Sequence, residues 1–246
     1  MSKTFFIKKH FQQKQTIVTL ISEKNSYINS AIKEIKKRRN EIEQYISKDK
    51  FFRITLEPYR CSDDSPEIIK KMCISSEKLN IGPMSTVAGI IAEYAVSAMI
   101  EKGAKFAIVD NGGDIALYSN KTINVGIYTG KRFTGKFAFQ VLPTEKILGI
   151  CTSSGLIGPS LSFGNTNSAT VISYDLSLAD AAATALGNQV NSEEDVKSAF
   201  DIFKNVEGII GASVFIQNKI GLWGSVPRII PANVSYDLIT RGRYYN

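Results

Sequence analysis

Histidine is almost absent from this 246-residue chain: His10 is the only one. A Ser-His-Asp triad would have to draw its base from the N-terminal segment, and a closed zinc site would need an unusual ligand set. Cysteine is scarce too. Cys61, Cys73 and Cys151 are odd in number and lack CxxC spacing, which fits reduced thiols better than a disulfide framework. No apolar run approaches the ~18 residues of a bilayer span. The first residues, MSKTFFIKKHFQQKQ, hold no apolar stretch of signal-peptide length. These absences predict a cytoplasmic protein with no membrane attachment. Neither a Walker A loop nor a GxGxxG fingerprint is present. Internal repeats, low-complexity tracts and flexible linkers are missing as well, so a single domain over residues 1–246 is expected.

What is present begins with charge. The formal net charge is +7, yet residues 1–60 alone carry 14 Lys/Arg against 6 Asp/Glu, so the remainder is close to neutral. A basic N-terminal layer can attract phosphate-bearing ligands. It can equally be a solvated helix face, because Glu34–Arg38, Lys37–Glu41 and Arg39–Glu43 stand four apart.

Along the chain, Phe5–Lys8 and Thr16–Leu20 read as neighbouring strands joined by a polar link. Ile28 to Ile46 reads as a helix with Ile28, Ala31, Ile32, Ile35, Ile42 and Ile46 on one stripe. Phe51–Glu57 has strand composition. Ser65-Pro66-Glu67 has the form of a helix start, with Ser65 as cap, and the helix runs to about Leu79. Cys73 falls on its apolar face and Cys61 in a loop. Gly82-Pro83 opens the longest apolar helix, ending at Gly103, with small residues that permit close packing. Its N-terminus is either a place for an anion or an ordinary helix start.

Phe106–Val109 and Ile115–Tyr118 flank Asp110-Asn-Gly-Gly-Asp114, a strong tight-turn signal. Val125–Tyr128, Phe137–Leu142, Ile147–Ile150, Ala169–Tyr174 and Gly208–Ile216 with Gly221–Trp223 read as further strands, and Ser192–Phe203 as a helix capped by Ser192. The expected fold class is α+β, with a helix layer against mixed, mainly antiparallel sheets.

Three stretches can carry chemistry. Asp180 and Thr184 stand four apart on a helix, so both project from one face. Their hard oxygens suit Mg2+ that keeps waters and touches a phosphate. The rival reading is a capping box, Ser177-Leu-Ala-Asp180, in which Asp180 serves its own helix. Cys151-Thr-Ser-Ser-Gly155 offers hydroxyls and N–H groups that can hold an anion in a tight turn, or is simply a polar turn at a strand end. Cys151 is a reactive thiol if nearby groups lower its pKa, and otherwise a small buried residue. In Asp110–Asp114, the glycines either admit a flat ligand to the backbone or only make a hairpin.

The order of these motifs is more telling than each alone. IAEYAV, DNGGDIAL, CTSSG and SLADAAATALGN follow one another as in the ApbE superfamily of flavin transferases, which this chain resembles. It is similar in particular to an archaeal and bacterial branch carrying GPM-x-x-VAG-x-IAE and GICTSSG segments. Here these are Gly82-Pro83-Met84 to Glu93 and Gly149–Gly155. The resemblance implies an ApbE-like α+β fold and matches Asp180 and Thr184 to magnesium ligands. It implies that Gly112, Gly113, Asp114, Thr152, Ser153, Ser154 and Gly155 lie near a flavin nucleotide, FAD or FMN. The transferases carry a lysine where this chain has Ala92-Glu93, and a histidine before a DP-x-x-G segment where this chain has Ser162-Phe-Gly-Asn165. The closer branch often has a histidine where Pro159 stands.

The expectation is therefore a protein that binds a flavin or other nucleotide-type ligand, with Mg2+ as a candidate cofactor, and lacks standard transferase activity. The alternative is sulfur transfer in sulfur amino-acid synthesis, with Cys151 as a catalytic persulfide carrier. Nucleic-acid binding through Lys33–Arg39 is disfavoured, because no stacking platform accompanies the charge. Self-association is left open.

Overall fold

The computed structural model describes residues 5–127, 137–153, 166–232 and 240. β-branched and aromatic runs separated by tight turns pair into two sheets. The larger has eight strands in the order β1 (Ile7–Gln13), β2 (Thr16–Ser22), β3 (Phe106–Asn111), β4 (Asp114–Ser119), β7 (Thr144–Ser153), β8 (Ser168–Ser173), β9 (Ile209–Ile216) and β10 (Lys219–Gly224). The smaller has three, β11 (Arg228–Pro231), β6 (Phe137–Val141) and β5 (Ile123–Gly126). Every neighbouring pair in both sheets is antiparallel.

Successive strand residues point to opposite faces, and both faces of the central strands are buried. On one face Val18, Val109, Ala116, Cys151, Val171 and Val214 meet helices. On the other, Leu117, Ile150, Ile172 and Phe215 meet Val125, Phe139 and Val141 of the small sheet. The molecule is thus three layers: helices, large sheet, small sheet. The helices are α1 (Asn25–Lys48), α2 (Phe51–Ile54), α3 (Glu67–Glu77), α4 (Val87–Glu101) and α5 (Leu176–Asn188). A single 3-10 turn, Pro83–Thr86, precedes α4.

α4 is the centre of the helix layer, packed on α1, α5, β3 and β4. With its leading turn it spans Pro83–Glu101, 19 residues long and apolar enough to cross a membrane. This corrects the expectation that no run comes near that length. Its Ile90, Ile91, Ala92, Ala95, Val96 and Met99 are nevertheless buried in the core against the sheet and neighbouring helices. Gly103 follows with φ +95°, the left-handed conformation that closes a helix.

The basic helix α1 buries Tyr27, Ile28, Ala31, Ile35 and Ile42 and turns its charges outward. Arg38 pairs with Glu34 at 2.7 Å and Glu41 at 3.0 Å, and Arg39 with Glu43 at 2.7 Å. Glu41 thus pairs with Arg38 rather than with Lys37. This internal pairing supports the solvated-face reading of the run.

Four local readings are corrected. Phe51–Glu57 is not a strand: Asp49 Oδ1 accepts the Phe51 N–H at 2.9 Å and starts the short helix α2, which buries Phe52. Ser65 does not cap α3, because its hydroxyl is engaged with Ser62 and Tyr45. Ser192–Phe203 is not one α-helix but two 3-10 turns, Asp195–Lys197 and Ala199–Phe203. The Asp195 carboxylate gathers the N–H groups of Asn191 and Ser192 at 2.9 and 2.8 Å and fixes this tight geometry. Finally, Cys151, Thr152 and Ser153 are not a turn but the last residues of β7.

Candidate functional site

The site lies where three backbone features meet under the sheet's helix layer. The first is the β3–β4 hairpin. Gly112 and Gly113 have φ +71° and +110°, as a two-residue turn with matching twist requires, and the Gly113 N–H donates to Asp110 Oδ1 at 2.9 Å. The turn ends at Asp114, whose side chain faces the helices, opposite Cys151 of β7 in register. The second is the end of β7, where Thr152 and Ser153 follow Cys151. The third is the crossing of α4 and α5.

α5 is anchored at its start by side chains from three places. Asp175 Oδ1 accepts the Leu178 N–H at 3.1 Å and is the true cap. Glu93 of α4 accepts the Leu176 N–H at 3.0 Å and also pairs with Lys71 of α3 at 2.6 Å. Ser177 bonds to Asp175 at 2.7 Å and to Ser75 at 2.6 Å. The capping-box reading of Ser177 and Asp180 is therefore corrected: Ser177 sits inside the helix, and Asp180 does not serve its own N-terminus.

Asp180 instead accepts the Gly89 N–H of α4 at 2.8 Å. The N-terminus of α4, a candidate for an external anion, is occupied by a carboxylate of the protein itself. Only glycine allows this, since a Cβ on Gly89 would lie 2.4 Å from the Leu176 carbonyl oxygen and 2.9 Å from the Asp180 Cβ. Asn111 adds a further tie, its amide donating to the Ala88 carbonyl at 3.0 Å.

Asp114, Asp180, Thr184, Thr152 and Ser153 line one cavity of about 70 Å3, closed on its other side by Met84, Ser85, Val87 and Ala88. The structure thus brings together Asp114, Thr152, Ser153, Asp180 and Thr184 from the sequence-predicted set. Gly112 and Gly113 make the hairpin but do not line the cavity. Ser154, Gly155, Pro159 and Ser162–Asn165 lie outside the described residues.

Both carboxylates are buried. Desolvation pushes the Asp180 carboxyl up to about 7, against the Gly89 and Ala88 N–H groups, which favour its charge. Asp114 is held well above the usual carboxylate range by burial and then by the charge of Asp180, while the Cys151 thiol and the Thr152 N–H act the other way. Among the described residues neither carboxylate has a Lys or Arg partner. The Ser153 hydroxyl is buried and has no hydrogen-bond partner. Two buried acids, an orphan hydroxyl and Thr184 form a donor set of hard oxygens, which fits Mg2+ and not a soft metal.

The surroundings of Cys151 weigh against a nucleophilic role. Its side chain is 0% exposed in the apolar cluster beneath α5. Burial and the nearby charges of Asp114 and Asp180 push its thiol well up, so the thiolate needed for attack is disfavoured. Its Sγ is 3.8 Å from the Leu176 carbonyl oxygen. Cys73 is a core residue as expected.

Glu93 and Lys71 escaped the sequence reading as positioning groups. The signal was there, in that Glu93 is the single charge within the apolar run IIAEYAV.

Comparison with known proteins follows the same lines. A family model described as AbpE bacteria matches residues 5–203. A UPF0280 protein of Methanococcoides burtonii is 46% identical over 237 residues, covering 96% of this chain and 100% of that protein. One from Methanosarcina acetivorans is 47% identical over 236 residues, covering 96% and 93%. Among solved structures, an ApbE protein from Thermotoga maritima superposes with TM-score 0.61 at 12% identity, covering 97% of this chain and 100% of that one. The flavin transferase ApbE from Vibrio cholerae gives TM-score 0.56 at 12% identity, covering 90% and 97%. At that identity these structures establish a shared fold.

Proposed function

Because the chain belongs to the AbpE bacteria family, an ApbE-like group, we propose that it binds a flavin nucleotide, FAD or FMN, across a Mg2+ ion held at Asp180 and Thr184. The observation that carries this reading is the cavity itself, lined by two buried carboxylates, Asp114 and Asp180, and four hydroxyl residues, Ser85, Thr152, Ser153 and Thr184, with no cationic side chain among its lining residues. Bound there, Mg2+ supplies positive charge for the phosphates of the nucleotide. The chain's own residues do the rest. Gly89 and Ala88 N–H groups orient Asp180. The Glu93 and Asp175 carboxylates fix the start of α5 and so the height of Asp180 and Thr184 above the sheet.

At about 70 Å3 the cavity has room for an ion and a few waters, not for a three-ring flavin. A flavin ring system would therefore have to lie outside it. Flavin transfer to a protein is not part of this reading. No histidine follows residue 10. In the helix where transferases carry a lysine, Glu93 is committed to Lys71 and Leu176.

Isothermal titration with FAD, FMN, ATP and ADP, each with and without Mg2+, tests the reading. Flavin binding that needs Mg2+ is expected. Absence of binding by all four in both conditions overturns it.

A further inference from the structure

We propose that Asp114 and Ser153 are cation ligands alongside Asp180 and Thr184, so that the cavity takes a hard divalent ion on its own, before any nucleotide arrives. The inference rests on the metal-dependent reading above but assigns different residues. Asp114 opens β4 on the helix side, opposite Cys151, and Ser153 is two residues further along β7, so both point to the same face. Asp180 and Thr184 come down from α5 onto the same space.

Two buried carboxylates sharing one cavity, without a cationic partner among the described residues, carry a large desolvation and repulsion cost. A divalent ion between them removes both. The N–H groups of α4 fix the Asp180 carboxylate but use only part of its accepting capacity. The independent sign of a missing ligand is Ser153: its hydroxyl is 5% exposed, lines the cavity and bonds to nothing. A buried hydroxyl left unsatisfied is costly unless something fills the space. With four oxygen donors and room for waters, the geometry suits Mg2+, Mn2+ or Ca2+.

The test is Mn2+ titration of nucleotide-free protein, followed by loss of the free-ion paramagnetic resonance signal, with Mg2+ as competitor. Wild type is expected to bind one Mn2+. Asp114→Asn should weaken this by about tenfold or more, and Ser153→Ala by several-fold. Ser153→Cys provides a gain-of-binding arm: a ligating residue 153 shifts preference toward Cd2+ over Mn2+. Thermal melts of each variant identify any that fail to fold, and the Ser153 variants then decide.

If Asp114→Asn and Ser153→Ala bind Mn2+ like wild type while Asp180→Asn does not, the inference falls and the Asp180–Thr184 site stands. If nucleotide-free wild type binds no Mn2+, the inference falls as well, and flavin titration with Mg2+ separately decides the functional reading.

Discussion

Gly89 and Asp180 lie 91 residues apart and touch at the crossing of α4 and α5. The Gly89 N–H donates to Asp180 Oδ2 at 2.8 Å, and there is no room between them for even one methyl group. Backbone and carboxylate are held in contact because residue 89 has no side chain.

A methyl at that crossing should therefore cost both stability and site geometry. Gly89→Ala is expected to destabilise the fold by about 1–3 kcal/mol, since its Cβ must push against backbone rather than a yielding side chain. Urea denaturation measures this. An unchanged midpoint would mean that α4 and α5 can separate freely.

The paired acids give the metal-free protein a definite pH response. Folding raises the Asp180 carboxyl to about 7 from an unfolded value of about 3.9, and raises Asp114 in the same direction. Between these values the folded state binds more protons than the unfolded one, so stability falls as pH rises toward neutral, and the Asp180 contribution levels off above about 7. The depressed carboxyls, Glu43, Asp49, Asp175, Glu194 and Asp195, act in the opposite sense but only near and below the ordinary carboxylate range. In chelator, the melting temperature should drop from pH 5 to pH 8, and Asp180→Asn should flatten the curve. A rise over that interval would contradict the burial of the pair.

Glu93 holds α3, α4 and α5 together through Lys71 and the Leu176 N–H. Glu93→Lys, which places at this position the lysine of the transferase helix, should lower stability by about 1–3 kcal/mol, because it leaves a buried N–H unpaired and sets two ammonium groups together. It should not produce flavin transfer. Detection of covalently flavinylated acceptor protein with this variant would show that the lysine alone was missing.

Cys151 should resist alkylation. In native protein, iodoacetamide is expected to modify the partly exposed Cys61 and to leave Cys151 untouched until denaturant is added. Peptide mass spectrometry at timed intervals reads this directly. Prompt labelling of Cys151 would return a thiol mechanism to consideration.

Much of this architecture is written in local pattern. The double glycine between Asn111 and Asp114 needs no tertiary context to make a hairpin, and the isoleucine stripe of α1 specifies its buried face. The four-residue spacing of Asp180 and Thr184 puts both on one face of α5, and both line the cavity; their reading as metal ligands rests on the family resemblance. Residues 51–57 misled because FFRITLE has strand composition, while the outcome was decided by one neighbour, Asp49, whose side chain accepts the Phe51 N–H. The 192–203 segment misled similarly: Asp195 reaches back to two N–H groups and tightens the chain below an α-helical turn. CTSSG looked like a turn because its hydroxyls are polar, yet Cys151 to Ser153 pair with Val171 to Ala169 of β8 as ordinary strand. The contacts that make the site, Asp180 to Gly89 and Glu93 to Leu176, span 91 and 83 residues, and no local window contains both partners.

The occupation of the α4 N-terminus by Asp180 has a consequence for how assembly must proceed. A phosphate approaching that helix end finds an anion already there and would have to displace it at the cost of a buried hydrogen bond. Under the metal-dependent reading proposed above, a cation held in the cavity would supply the attraction for a polyanion that this helix end no longer offers. By reciprocity, each ligand must tighten the other to the same degree. Nucleotide affinity would then rise and fall with the free concentration of the ion, and depletion of that ion would weaken nucleotide binding by the factor through which the nucleotide tightens the ion.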